Sequence, residues 1–222
     1  MSRKFVVALS VPVALLGMAC GSAKPAAPVA VVTASPSPSP TALSTAPTAT
    51  CSELLAANPK ADPTALPREW SVYTTPAGVK AIVPAGWREV GKDSIVNVSD
   101  PALDKPNNLS LQVFRMNGSA PDVSTIGVAE AAEVSRKHSD LLGPVDVKTA
   151  TLPSGPAARL SFCFPRKADD GTTVTLAILQ YLIPRPTADG FSVYVLQVLA
   201  PVEKMAYYGV IFETAAGQLK LP

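Results

Sequence analysis

The apolar positions of this chain change their period three times. Residues 5–19, FVVALSVPVALLGMA, are apolar apart from Ser10. Residues 22–50 have no period. Beyond residue 70, short apolar runs recur between turn signals: VKAIV (79–83), SIVNVS (94–99), LSLQVFRM (109–116), VDVKTATL (145–152), ARLSFCF (158–164), TVTLAILQYLI (173–183) and FSVYVLQVL (191–199). Runs of this length, rich in β-branched and aromatic residues and separated by Gly, Pro and Asp, read as strands. RKADDGT (166–172) carries the Asp-Gly signal of a tight hairpin, and PRPTADG (184–190) marks a longer one. Short links between successive strands predict an antiparallel meander.

Two segments switch to helical spacing. DVSTIGVAEAAEVSRKHSD (122–140) opens on the cap candidates Asp122 and Ser124, but Ile126, Ala129 and Glu133 make only a thin apolar face. PVEKMAYYGVIFETAAGQLKL (201–221) places Val202, Met205, Gly209, Phe212, Ala216 and Leu219 at helical intervals. A shorter helix is expected in CSELLAANPKADP (51–63), stopped by its prolines. TLAILQYLI shows little polar alternation, so its sheet is expected to be covered on both faces. The fold class is therefore α+β, an antiparallel sheet of about six or seven strands with helices packed on its faces.

The first apolar run decides location. It holds 15 residues behind Arg3 and Lys4, against the roughly 20 that a spanning helix needs. A basic head, a short apolar stretch and small residues before Cys20 form the pattern of an export signal. Residues 1–19 thus read as a lipoprotein signal, with LGMAC resembling a lipobox whose Cys20 receives two acyl chains of palmitate type. The departure is Gly17, which stands where Leu, Val or Ile is usual; Leu16 is one place early. Plain secretion and an uncleaved anchor are the alternatives. Residues 20–50 then read as the lipidated cysteine and a tether. SAKPAAPVAVVTASPSPSPTALSTAPTAT has six prolines and a single charge, Lys24. It has too little apolar bulk to offset the entropy of ordering. As polyproline II it would reach roughly 90 Å. Its Ser and Thr suit either O-glycans or a bare spacer. Residues 51–222 make a single domain.

Charge and cysteine count refine this. Without Arg3 and Lys4, 17 basic and 17 acidic residues remain. That balance gives no footprint for nucleic acid and no polybasic segment for acidic lipid, so membrane contact is expected through the lipid on Cys20 alone. The three cysteines are Cys20, Cys51 and Cys163. With Cys20 acylated, Cys51 and Cys163 remain as a pair for an oxidising compartment; two unpaired thiols are the alternative. Alternation along ARLSFCF puts Leu160, Phe162 and Phe164 on one face, expected to meet the main core. Cys163 goes to the other, where the segment after Cys51 can cross.

The stretch VKAIVPAGWREV, with its Pro84-Ala85-Gly86-Trp87 turn, resembles the entry of PsbP-like domains. The meander, the Ala-rich helix, the strand SGPAARLSF (154–162) and the final aromatic helix follow in their order. Among bacterial members the chain is most similar to the LpqN/LpqT-type lipoproteins of actinobacteria, which carry a lipobox and a Pro/Ser/Thr-rich leader. The resemblance covers residues 70–221. It implies an αβα sandwich and a role in assembly, adaptation or binding, and it brings no catalytic residues.

The residues themselves carry no recognised catalytic motif. His138, the single histidine, sits in SRKHSD beside Asp140 and reads as a surface residue. Asp169 and Asp170 belong to the hairpin turn. Trp70, Trp87, Tyr181, Tyr194, Tyr207 and Tyr208 read as core, with a ligand-lining role as the alternative. The N-x-S triplets at Asn97, Asn108 and Asn117 lack the acidic residue of bacterial acceptor sites. No metal or cofactor is expected. The function expected is a non-catalytic, membrane-anchored adaptor that binds an envelope protein on the extracytoplasmic face. A carrier of a small apolar ligand or lipid comes second and a hydrolase third.

Overall fold

A computed structural model describes residues 49–222 other than 59, 63, 65, 91–94, 100–107 and 169. For residues 88–90, 95–99 and 108 it describes the backbone alone. The segment expected to be an export signal, Cys20, the expected tether up to residue 48 and Asp169 therefore lie outside the described residues, while Thr50, placed in the tether from sequence, is the N-cap of the first helix.

The elements run α1 (Cys51–Ala57), β1 (Trp70–Thr74), β2 (Lys80–Pro84), β3 (Arg88–Val90), β4 (Ile95–Ser99), β5 (Asn108–Met116), α2 (Val123–Lys137), β6 (Asp146–Leu152), β7 (Gly155–Lys167), β8 (Thr173–Thr187), β9 (Gly190–Pro201) and α3 (Met205–Gly217), with one 3₁₀ turn at Val202–Lys204. The fold is α+β, as the pattern predicts. All strand pairs are antiparallel. The order is not a plain meander. Seven strands run β3-β4-β5-β9-β8-β7-β6, so the last strand returns to pair with β5 in mid-sheet, while β1 and β2 form a separate ribbon.

Two strands exceed expectation. β1 is only WSVYT, and β3 has three residues, both too short to register as a periodic run. The seven expected runs all become strands. The Asp-Gly turn closes β7 to β8 as read, with Gly171 at φ 85° and the Asp170 carboxylate accepting from the Thr172 N–H at 2.9 Å.

Both faces of the large sheet are covered. α3 lies on the face formed by Ala177, Leu179, Tyr181 and Ile183 of β8 with Tyr194, Leu196, Val198 and Ala200 of β9; Phe212, Ile211 and Ala215 pack there fully buried. This is the larger core, and Cys163 belongs to it. Leu160, Phe162 and Phe164 instead face α2, in two smaller clusters. The expected assignment of the two faces of β7 is therefore reversed. Apolar bulk on one strand does not identify the core side when two neighbouring strands supply the bulk of the other face.

α2 is held by its caps and by a narrow contact. The Asp122 carboxylate accepts from the Thr125 N–H at 2.9 Å and from Ser124 Oγ at 2.6 Å. These bonds, the Ser124 hydroxyl first, keep its pKa well below the carboxylate range. The buried residues of α2 are Ile126, Gly127, Glu130 and Val134, rather than the expected set of Ile126, Ala129 and Glu133. Gly127 lets the helix approach: a Cβ there would stand 2.8 Å from Val147 Cγ1 and 3.0 Å from Ala158 Cβ.

Candidate functional site: a disulfide-pinned groove

α1 is only seven residues long, too short to persist alone. Three devices fix it. Thr50 and Glu53 form a capping box, the Thr50 N–H donating to Glu53 Oε2 at 2.7 Å. That bond, with the Thr50 hydroxyl, lowers the Glu53 pKa. The Cys51 N–H donates to the Leu142 carbonyl at 2.7 Å, and the Leu142 N–H donates to the Cys163 carbonyl at 2.9 Å. Cys51 and Cys163 are joined by a disulfide, their Cα atoms 5.2 Å apart. At the other end of α1, Asn58 Nδ2 donates to the Val202 carbonyl.

Because α1 stands beside α3 on the same sheet face, a groove of about 460 Å³ runs between them. Its walls are Leu55, Leu66, Leu179, Met205 and Val210, with Lys60 and Arg159 at its polar edge. A second groove, of about 410 Å³, flanks the other side of α1 along Leu54, Ala57, Val174 and Val202. The larger lies within the size range of ligand and peptide sites.

The polar edge is organised. Arg159 on β7 donates through Nη2 to Glu213 Oε1 at 3.1 Å, and Tyr181 on β8 donates through its hydroxyl to Glu213 Oε2 at 2.9 Å. Burial, and then the bond to Glu213, push the Tyr181 phenol up to about 12. Its ring stacks on Phe212 with centroids 5.0 Å apart. The triad therefore fixes one side of α3 to the sheet.

The other face carries a polar seam that sequence reasoning missed. Ser110 of β5 pairs in register with Gln197 of β9, and Gln197 pairs with Gln180 of β8. Glu130 of α2 lies over this row. Ser110 Oγ, Gln112 Oε1, Glu130 Oε2 and Gln180 Nε2 are buried without a hydrogen-bond partner. Burial raises Glu130 to about 7, against the opposing charge of Lys137 and the Gln180 amide. The available sequence signal was Gln180 itself, the one amide in TLAILQYLI.

Of the other residues singled out from sequence, His138 caps the C-terminus of α2 and its ring stacks on Phe164 at 4.9 Å. Asp140 is exposed. Tyr181, Tyr194 and Tyr208 are buried, while Trp70, Trp87 and Tyr207 pack half-buried against the main core. Asn117 is exposed, and Asn97 and Asn108 lie on β4 and β5. Among the described residues no three His, Cys, Asp or Glu side chains gather as a metal site, and no helix is long and apolar enough to cross a membrane.

No family model matches the chain, and no curated protein matches it in sequence. Solved structures do. The solution structure of cyanobacterial PsbP (CyanoP) from Synechocystis superposes with a TM-score of 0.45 at 11% identity, over 73% of this chain and 98% of that one. The crystal structure of LpqN from Mycobacterium tuberculosis, a protein involved in cell envelope biogenesis, superposes with a TM-score of 0.45 at 16% identity, over 69% of this chain and 91% of that one.

Proposed function

We propose that the protein is a membrane-anchored, non-catalytic adaptor of the bacterial cell envelope. In this reading Cys20 carries the lipid, residues 22–48 form the tether, and the groove between α1 and α3 docks a partner protein. The observation that carries it is the Cys51–Cys163 disulfide. A structural disulfide belongs to an oxidising compartment, and it accounts for two of the three cysteines, leaving Cys20 for acylation at the end of the export signal. The same bond holds α1 as one wall of the groove, at the point where the leader meets the domain. The charged triad supports a docking role, since it holds α3, one wall of the groove, in place on the sheet.

Two measurements test this. Cys20→Ser is expected to move the protein from the membrane fraction to the soluble exported fraction. Retention on membranes after a high-salt wash would mean that the apolar run itself is the anchor. Val210→Glu, at the 37% exposed groove residue, is expected to remove a partner crosslinked in intact envelope. An unchanged crosslinking pattern would place the docking surface elsewhere.

The carrier reading rests on the apolar walls of the same groove. It is distinguished by a long-chain fatty acid that binds the wild-type protein and not the Val210→Glu variant.

A further inference from the structure

The ribbon of β1 and β2 has two edges, and they differ. On the β2 side the Lys80 N–H donates to the Lys220 carbonyl at 2.8 Å, and the Lys80 carbonyl accepts from the Lys220 N–H at 2.9 Å. The backbone groups of Lys80 therefore point away from β1, and its partner Thr74 sits in a non-hydrogen-bonded pair. Parity extends along the strand. Glu69 accepts from the Ala85 N–H at 3.0 Å and Thr75 donates to the Val79 carbonyl at 2.8 Å, so odd-numbered residues face β2. Trp70, Val72 and Thr74 thus turn their N–H and C=O groups outward, along an edge that nothing in the described fold pairs.

Among the described residues, that edge lacks the usual protection. β6, an outer strand of the large sheet, carries Asp146 and Lys148, ion-paired at 2.7 Å. Charges of this kind block edge-to-edge pairing. β1 reads WSVYT, with no charge and no proline, and Val72 is 69% exposed.

We propose that β1 pairs antiparallel with β1 of a second copy, about a two-fold axis at Val72. The parity allows it: Val72 meets Val72, and Trp70 meets Thr74 in both directions, all as hydrogen-bonded pairs. The three outward residues of each copy supply one donor and one acceptor apiece, so every outward group is satisfied. Trp70, Val72 and Thr74 share one face of the ribbon, which sets β-branched and aromatic side chains across from one another. An uncharged strand brings no like charges together at the axis, as an isologous contact requires. A five-residue strand pair covers less than the roughly 1,200 Å² of stable complexes, so the dimer is weak and depends on concentration. The surface is separate from the groove, and the inference stands whether or not the groove docks a partner.

The test uses the full exported chain. Sedimentation equilibrium is expected to show monomer at about 10 µM and growing dimer at about 500 µM. Val72→Pro, which removes only an outward N–H, and Val72→Lys are both expected to stay monomeric with an unchanged melting temperature. Oxidised Val72→Cys is expected to crosslink about tenfold faster than Thr149→Cys on the guarded β6, since facing Cα atoms in such a pair lie about 5.5 Å apart. A wild-type chain that stays monomeric at the higher concentration overturns the proposal, as does a dimer that both Val72 variants leave intact. Crosslinking of Val72→Cys in cells to another protein and never to itself overturns self-pairing in favour of a foreign strand.

Discussion

Glu130 of α2 and Gln180 of β8 meet across the smaller core with an unpartnered polar atom apiece, Oε2 on one and Nε2 on the other. Glu130 is 2% exposed. Its pKa, raised chiefly by burial from 4.5 to about 7, makes it a term in stability. The folded state keeps a proton that the unfolded chain has released between those values. Stability therefore falls as pH rises through that window, by about 3 kcal/mol at most once both states are ionised. Glu130→Gln is neutral throughout and is expected to remove the decline. The check is the urea midpoint of both proteins at pH 5 and pH 8. Equal pH dependence in the two would show that this carboxyl stays clear of the transition.

The disulfide closes a separation of 112 residues. In the chain-entropy account its loss costs roughly 4–5 kcal/mol. For a domain of this size that is a fall of about 10–15 °C in melting temperature. Cys51→Ala with Cys163→Ala, measured by calorimetry, is expected to fall in that range. A shift of a degree or two would mean that α1 contributes little and that its capping box and backbone bonds hold it without the bridge.

Gly127 offers a test in which two effects oppose each other. Alanine gains about 1 kcal/mol in helix propensity. Its methyl group, however, enters the contact with Val147 and Ala158, and overpacking of this kind costs about 1–3 kcal/mol. Gly127→Ala is expected to lower the denaturation midpoint. A stabilised variant would show that α2 can step back from β6 and β7 freely.

Tyr181→Phe keeps the stack on Phe212 and removes the bond to Glu213. A hydrogen bond to a charged group contributes about 1.5–3 kcal/mol, and the exposure of Glu213 brings this one below that range. A loss of about 1 kcal/mol is expected in chemical denaturation. Arg159→Met together with Tyr181→Phe should lose less than the sum of the two single variants, because both partners serve one carboxylate. Simple additivity would mean that the two contacts act independently.

Much of this fold was legible from local pattern. The strand runs are of ordinary length, and the continuous apolar character of TLAILQYLI announced a sheet buried on both sides. Asp122 was readable as a cap because its signal lies within one turn. What was not legible depends on distant partners. WSVYT becomes a strand only because KAIVP folds back on it. The two faces of β7 were assigned in reverse because Cys163 faces a core built mostly by β8, β9 and α3. The Arg159–Glu213 contact spans 54 residues, and neither residue carries a local sign of the other. Glu130 carries no local sign of burial, and only the narrow face that α2 presents to the sheet puts it inward.

The position of the disulfide also sets the path of mechanical load. Thr50 and Cys51 are the first residues of the described fold to be locked in place. Any pull transmitted along the preceding chain reaches Cys51 at once and crosses a covalent bond into β7, which is hydrogen-bonded on both sides by β6 and β8. The tension is then shared across the width of the sheet by antiparallel ladders. Without the bridge, the same pull would act first on a seven-residue helix and peel it away one turn at a time.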